Sequence, residues 1–259
     1  MNPVPPIPPH HLRELVGAVD DSSFGNPTGK LVFPDYDHAV YENVFDWGCG
    51  CGRIARQLIL QVPAPSAYTG IDLHKGMVDW CKDNLTPFAS QFKFLHHNVF
   101  NQGLNPEGPR IDLPFPAQSN SVSLLIAWSV FTHVSQKSAS FYLGEIARVL
   151  RPNGVARTTW FLFDKSYFPM MQEDQNALFI NEMDFTNAVI FDKQWLLSEL
   201  TSKGLVLERV KAPAIRGFQW TLSILKSNEK RLHAKIGEDL APFGSMPPPV
   251  LKYSAKDRR

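Results

Sequence analysis

The sequence predicts an α/β protein: a mostly parallel seven-stranded sheet with one antiparallel strand and helices on both faces. Three observations carry that expectation. From Asn43 onward, short apolar runs alternate with stretches whose apolar residues recur at helical spacing, the pattern of strands crossed over by helices. The first apolar run ends in glycines at alternate positions, Gly48, Gly50 and Gly52, where a chain leaving a buried strand must turn sharply. The last two apolar runs have no helix between them, and so short a link fits an antiparallel pair better than a parallel crossover.

The elements follow in order. Residues 1–9 contain five prolines and read as a stiff extended arm, since each proline fixes φ and removes a donor. Residues 10–19 place Leu12, Leu15, Val16 and Val19 on one helical stripe. Residues 44–47 form the first strand. A helix through Ile54, Leu58 and Ile59 ends at Pro63 and Pro65. Residues 68–71 form the second strand, with Asp72 at its end. A helix over 77–85 and a third strand over 92–95 come next. Residues 101–116, rich in Gly, Pro and Asn, read as a long loop. Residues 122–128 are apolar on both faces, which marks a central strand. Ser135 caps a helix striped by Ala139, Leu143, Ile146 and Leu150. The run Arg151-Pro152-Asn153-Gly154 ends that helix, and 155–162 is the fifth strand. Residues 163–190 are rich in aromatics and methionine without clear periodicity, so an insertion is expected there. A helix over 195–200 precedes the final pair, 205–210 and 219–225. The chain therefore divides into an arm and cap (1–40), a main domain (41–226, with 163–190 as a lid) and a tail (227–259).

Composition narrows the function classes. The 259 residues, 44% hydrophobic and 20% charged, suit a globular protein with a sizeable core. A net charge of +1 gives no electrostatic case for nucleic acid or an anionic membrane. The tail from Lys226 holds eight basic and four acidic residues but lacks interleaved aromatics, so it reads as solvated surface. No apolar run reaches the length of a membrane span, and the N-terminus lacks a secretory pattern. Three cysteines, two of them flanking Gly50, make no disulfide framework, and a structural zinc site needs about four ligands. A cytoplasmic protein with a small-molecule substrate, no bound metal, and no nucleic-acid or membrane partner is expected.

The stretch Val44-Phe45-Asp46-Trp47-Gly48-Cys49-Gly50-Cys51-Gly52-Arg53 resembles motif I of the class I S-adenosylmethionine-dependent methyltransferases, Asp-x-Gly-x-Gly-x-Gly. Ile71-Asp72-Leu73, followed by Met77, is similar to the family's second-strand context. The runs 125–134 and 142–154 resemble its fourth-strand region and the helix that follows. The resemblance covers residues 40–162 well and 192–226 loosely. It implies a Rossmann-like class I methyltransferase fold with S-adenosyl-L-methionine as cofactor. By the same resemblance Gly48, Cys49, Gly50, Gly52 and Arg53 border the methionine portion. Asp46 helps to hold its ammonium group, a reasonable pairing of charges, and Asp72 accepts from the ribose hydroxyls. Leu73 and Met77 flank the adenine, and Asn98 and Val99 reach its edge, where the family often has an acid. Ala127, Trp128 and Ser129 close the site from the fourth strand.

Two other readings stay open at the sequence level. Gly50-Cys51-Gly52-Arg53-Ile54-Ala55 also satisfies the dinucleotide pattern G-x-G-x-x-A of nicotinamide-dependent dehydrogenases, and Asp72 suits either cofactor. The extra Gly48, Asp46 within the strand and the paired final strands favour the methyltransferase. A relative that keeps the cofactor site without catalysing is the second alternative. His133, just beyond the fourth strand, is the candidate catalytic base for a hydroxyl or amine acceptor, because imidazole titrates near neutrality. The competing reading is that it orients the next helix. His96 and His97 read as structural. Trp128, Phe131, Trp160, Phe161, Phe163 and Tyr167 are either pocket or packing.

Overall fold

The structure is a computed structural model that describes residues 4–18, 20–181, 183–184, 186–215, 218–227 and 232–236. In chain order its elements are α1 (His10–Leu15), β1 (Asn43–Trp47), α2 (Arg53–Ile59), β2 (Ala67–Asp72), α3 (Lys75–Asn84), β3 (Phe92–His96), β4 (Val122–Ala127), α4 (Gln136–Val149), β5 (Leu150–Phe163), β6 (Ala177–Phe179), β7 (Val189–Asp192), α5 (Lys193–Ser202), β8 (Leu205–Ile215) and β9 (Gln219–Lys226).

The strands join in the order β3-β2-β1-β4-β5, all parallel, and β9 continues the sheet antiparallel to both β5 and β8. These are the seven expected strands, with one reversed. The sheet has nine strands rather than seven, because the stretch expected to be irregular contains the β6–β7 hairpin. Its β7 runs parallel to the last residues of β5, pairing Phe161 with Ile190. Three boundaries also differ. α1 stops at Leu15 because Gly17, in the left-handed region at φ 63°, turns the chain, and Val19 lies outside the described residues. Residues 151–154 open β5 rather than form a turn; Asn153 at φ 61° sits where the β4–β5 register shifts. β8 runs on to Ile215. Of the expected tail, residues 228–231 and 237–259 lie outside the described residues. Ala234 N–H donates to the Leu207 carbonyl at 2.7 Å, which lays 232–236 beside β8.

Alternation along each strand sorts side chains onto two buried faces. Phe45, Trp47, Leu125 and Ala156 meet Leu143 and Ile146 of α4 and Leu196 and Leu200 of α5. Val44, Leu124, Ile126 and Val155 meet Ile54 and Leu58 of α2 and Val78 and Cys81 of α3. Each fully buried aliphatic side chain contributes about 1.5–3 kcal/mol. Side-chain caps fix the helix starts: Ser135 Oγ accepts from Ser138 N–H (3.1 Å), and Asp192 Oδ2 accepts from Trp195 N–H (2.8 Å). A third cluster joins the arm to the domain, with Leu12, Ala18 and Phe24 packed on Cys51 and Met77. Arg56 of α2 fastens this arm, donating to the carbonyls of Pro5 (2.9 Å), Pro6 (3.1 Å) and Phe24 (2.6 Å).

Order β3-β2-β1-β4-β5 makes the chain reverse its progression between β1 and β4. Open parallel sheets bind ligands at the carboxyl ends of the strands flanking such a reversal. The glycine turn, Asp72 and residues 128–135 all lie there.

Candidate functional site

The glycine turn is main chain held by main chain. Gly48 and Cys49 N–H both donate to the Ile71 carbonyl, at 2.8 and 3.1 Å. Gly48, Gly50 and Gly52 all have positive φ, at 79°, 54° and 82°, a region that costs other residues strain. A Cβ on Gly48 would lie 2.4 Å from Val130 Cγ2, and one on Gly50 2.8 Å from Val16 Cγ1. These glycine positions leave no room for a side chain.

Two carboxyls border it. Asp72 is buried at the end of β2, with Oδ2 accepting from Gly50 N–H and Oδ1 from His74 N–H, each at 2.8 Å. Burial nevertheless raises its pKa above the usual carboxylate range. Asp46 is buried in β1 and accepts from the Tyr68 hydroxyl at 2.7 Å; burial pushes its carboxyl up to about 7. At neutral pH it is poised between its two forms, and a cation beside it would draw it into the charged one.

Beyond β4 the chain kinks at Ser129, φ 60°. A polar network holds the kink. Ser129 N–H donates to Thr159 Oγ1 (2.7 Å), Thr159 donates to Gln219 Oε1 (2.6 Å), and Gln219 Nε2 returns to Ser129 Oγ. Trp128, one residue earlier, has the Arg53 and Arg157 guanidinium carbons 5.0 and 5.1 Å from its ring centroid.

A cavity of about 920 Å³ joins these groups. It is lined at one end by Asp46, Gly48, Cys49, Gly50, Arg53 and Asp72, with Leu73, Met77 and Val99 beside them; Trp128, Ser129 and His133 line it too. Most of the expected residues therefore share one cavity, and three do not line it. Asn98 is exposed, its Oδ1 accepting from Asn105 Nδ2 at 3.0 Å, because the chain after β3 turns it outward while Val99 faces in. Gly52 is buried, and a Cβ there would sit 2.5 Å from Leu85 Cδ1. Ala127 is buried in the core on the α4 face. Of the aromatics, Phe131 and Trp160 stack in that core at 3.9 Å, and Tyr167 is exposed.

The structure adds residues the sequence reading did not bring to the site. His97 is buried in the cavity wall, its Nε2 3.0 Å from the Tyr142 hydroxyl, and burial lowers its pKa to about 4, so it is neutral. Its position directly after the third strand was the only signal available. The loop after β3 contributes Asn101, Arg110 and Asp112. Leu15 and Val16 come from residues 1–40, and Asp184 and Thr186 from residues 163–190; all four line the cavity. His133 is exposed toward it. Its Nδ1 lies 2.9 Å from the Thr186 carbonyl, which can only accept, so Nδ1 is the donor and Nε2 is the ring nitrogen left without that partner.

Fold and site together define a Rossmann-like α/β protein with a glycine turn and two buried carboxyls, Asp46 and Asp72, lining one cavity. Residues 44–154 match a family model described as a methyltransferase domain. Among solved structures, a candidate sarcosine dimethylglycine methyltransferase from Galdieria sulphuraria is 16% identical over 74% of this chain and 80% of its own, with a TM-score of 0.53. A chain of the complex between the Haloferax volcanii Trm112 methyltransferase activator and a candidate methyltransferase is 15% identical over 72% and 83%, at 0.50. A SAM-dependent methyltransferase from Methanosarcina mazei is 19% identical over 77% and 100%, at 0.49. At these identities the first two likenesses speak to the fold alone. The match shows that residues 44–154 carry a methyltransferase domain, whose methyl donor is S-adenosylmethionine. The residues present fit that group: side-chain-free main chain, a carboxylate at the second strand end and a poised buried carboxyl share one cavity.

Proposed function

We propose that this protein methylates an oxygen or nitrogen of a small organic acceptor, with His133 as the proton acceptor. One observation carries the reading: the cradle and His133, its Nδ1 tied to the Thr186 carbonyl, line the same cavity of about 920 Å³. That volume lies at the upper end of small-ligand sites and has room for a cofactor and an acceptor side by side. When bound, the cofactor supplies a sulfonium-activated methyl group open to in-line displacement. The chain supplies alignment and dryness. Gly48, Cys49, Gly50 and Arg53 border the methionine portion, Asp46 faces its ammonium, and Asp72 takes the ribose hydroxyls. Leu73, Met77 and Val99 enclose the base, and Trp128 and Ser129 stand at the far side. Gly52 and Ala127 support this wall from behind. The arm (1–40) and the 163–190 insertion act as covers over the 41–226 domain.

His133 Nε2 takes the proton released as the acceptor oxygen or nitrogen is methylated. No helix among the described residues is long and apolar enough to cross a membrane, and the reading is of a cytoplasmic enzyme acting on a diffusible substrate. The test is transfer of labelled methyl from the cofactor to a panel of hydroxyl and amine acceptors. His133→Gln should lower kcat by about 10²–10⁴-fold with cofactor affinity unchanged. Full turnover in that variant would make His133 structural.

A further inference from the structure

A second cavity, of about 410 Å³, lies behind Trp128, between α2 and the segment Val32–Asp35, with Arg53, Arg157 and Lys211 in its walls. Arg157 stands on β5, registered between Ile126 of β4 and Ser223 of β9. Its guanidinium carbon is 4.5 Å from the Phe33 ring centroid and 5.1 Å from that of Trp128. Aromatic faces attract a cation but offer no in-plane acceptor for its N–H groups. Nη1 is buried without a hydrogen-bond partner among the described residues. The guanidinium carbon of Arg53, a half-buried residue, likewise lies 5.0 Å from the Trp128 ring centroid.

The surrounding charges do not balance this. Among the described residues Asp35 is the one carboxylate in the cavity wall, and it pairs with Lys211, while its carbonyl accepts from Arg209. Tyr36 and Tyr41, the other groups felt by Arg157, have their hydroxyl pKa values raised by burial and stay neutral. Asp46, whose carboxyl burial pushes up to about 7, makes no ion pair with Arg53 among the described residues. Buried cations with unmet donors are costly unless an anion completes them. A guanidinium edge is shaped to take two oxygens of a carboxylate or phosphate side by side.

We propose that this cavity is an anion subsite in which Arg157 and Arg53 receive a carboxylate or phosphate group. It adjoins the methyl-transfer cavity, since Trp128, Arg53 and Ile54 line both. The subsite stands whether or not His133 is the base, because its readout is anion binding.

The test is calorimetric titration of the whole protein with inorganic phosphate and with malonate at constant ionic strength. Saturable binding of at least one of them is expected, weakened about tenfold or more by Arg157→Gln and several-fold by Arg157→Lys. The lysine variant keeps the charge and serves alone if the glutamine variant does not fold. Affinity for S-adenosylhomocysteine should be unchanged in either. No saturable binding, or binding indifferent to residue 157, overturns the proposal. So does displacement of the anion by S-adenosylhomocysteine, which would make the recognised group the cofactor's own carboxylate. Inhibition of methylation by the bound anion separates the two remaining sources: competition with the acceptor assigns the group to the acceptor, and its lack assigns an independent anion.

Discussion

The two ends of the large cavity are built by different means. At the cradle end, contiguous main chain does the work: three positive-φ glycines within five residues, tied to β2 by N–H···O bonds and to Asp72 by a side chain. At the opposite end, around His133 and His97, the wall is assembled from segments far apart in sequence. His133 leans on Thr186, 53 residues away, and His97 on Tyr142, 45 residues away. A cofactor common to a family can be met by local geometry, whereas an acceptor peculiar to one enzyme is met by loops that vary independently.

The largest expected effect tests the cradle end. Asp72→Ala should weaken S-adenosylmethionine binding by about 100-fold, the worth of two hydrogen bonds to a charged group. Unchanged affinity by calorimetry would leave the ribose grip unsupported and erase the contrast between the ends. Gly52→Ala should separate fold from site. At φ 82°, with Leu85 2.5 Å from the new Cβ, it should cost about 1–3 kcal/mol of stability. A thermal melt should show the loss, while the folded protein keeps its cofactor affinity.

A smaller effect lies in pH. Asp46 ionises in the folded protein only near 7, well above its unfolded value, so stability present at low pH is lost as pH rises from about 4 to 7. Cofactor binding should run the other way, tightening as pH climbs through 7 and the carboxylate forms beside the ammonium. Asp46→Asn should flatten both slopes; a wild-type affinity level from pH 6 to 8 would detach Asp46 from the cofactor. The smallest effect is expected at Asn98, which faces outward. Asn98→Ala should change cofactor affinity less than about twofold, the scale of an ordinary surface substitution; a larger loss would mean that the chain after β3 rearranges on binding.

The same contrast governs what the amino-acid sequence discloses. The seven main strands and the glycine turn were legible because strand periodicity and turn chemistry act over a few residues. Residues 151–154 misled because Pro-Asn-Gly suits a turn, yet here Asn153 takes the left-handed position of a bulge inside β5. The β6–β7 hairpin escaped notice since strands of three and four residues carry too little alternation to register. His97 sat in view, but its meaning comes from Tyr142 on another element. The end of β3 leaves open, in sequence, which of the neighbours Asn98 and Val99 turns in, and Val99 does.

Val16 rests against Gly50, and the arm that carries it is pinned to Arg56, a residue of the very helix that follows the cradle. The segment packed on the cradle is thus tied, through three carbonyls and one guanidinium, to the helix that the cradle opens.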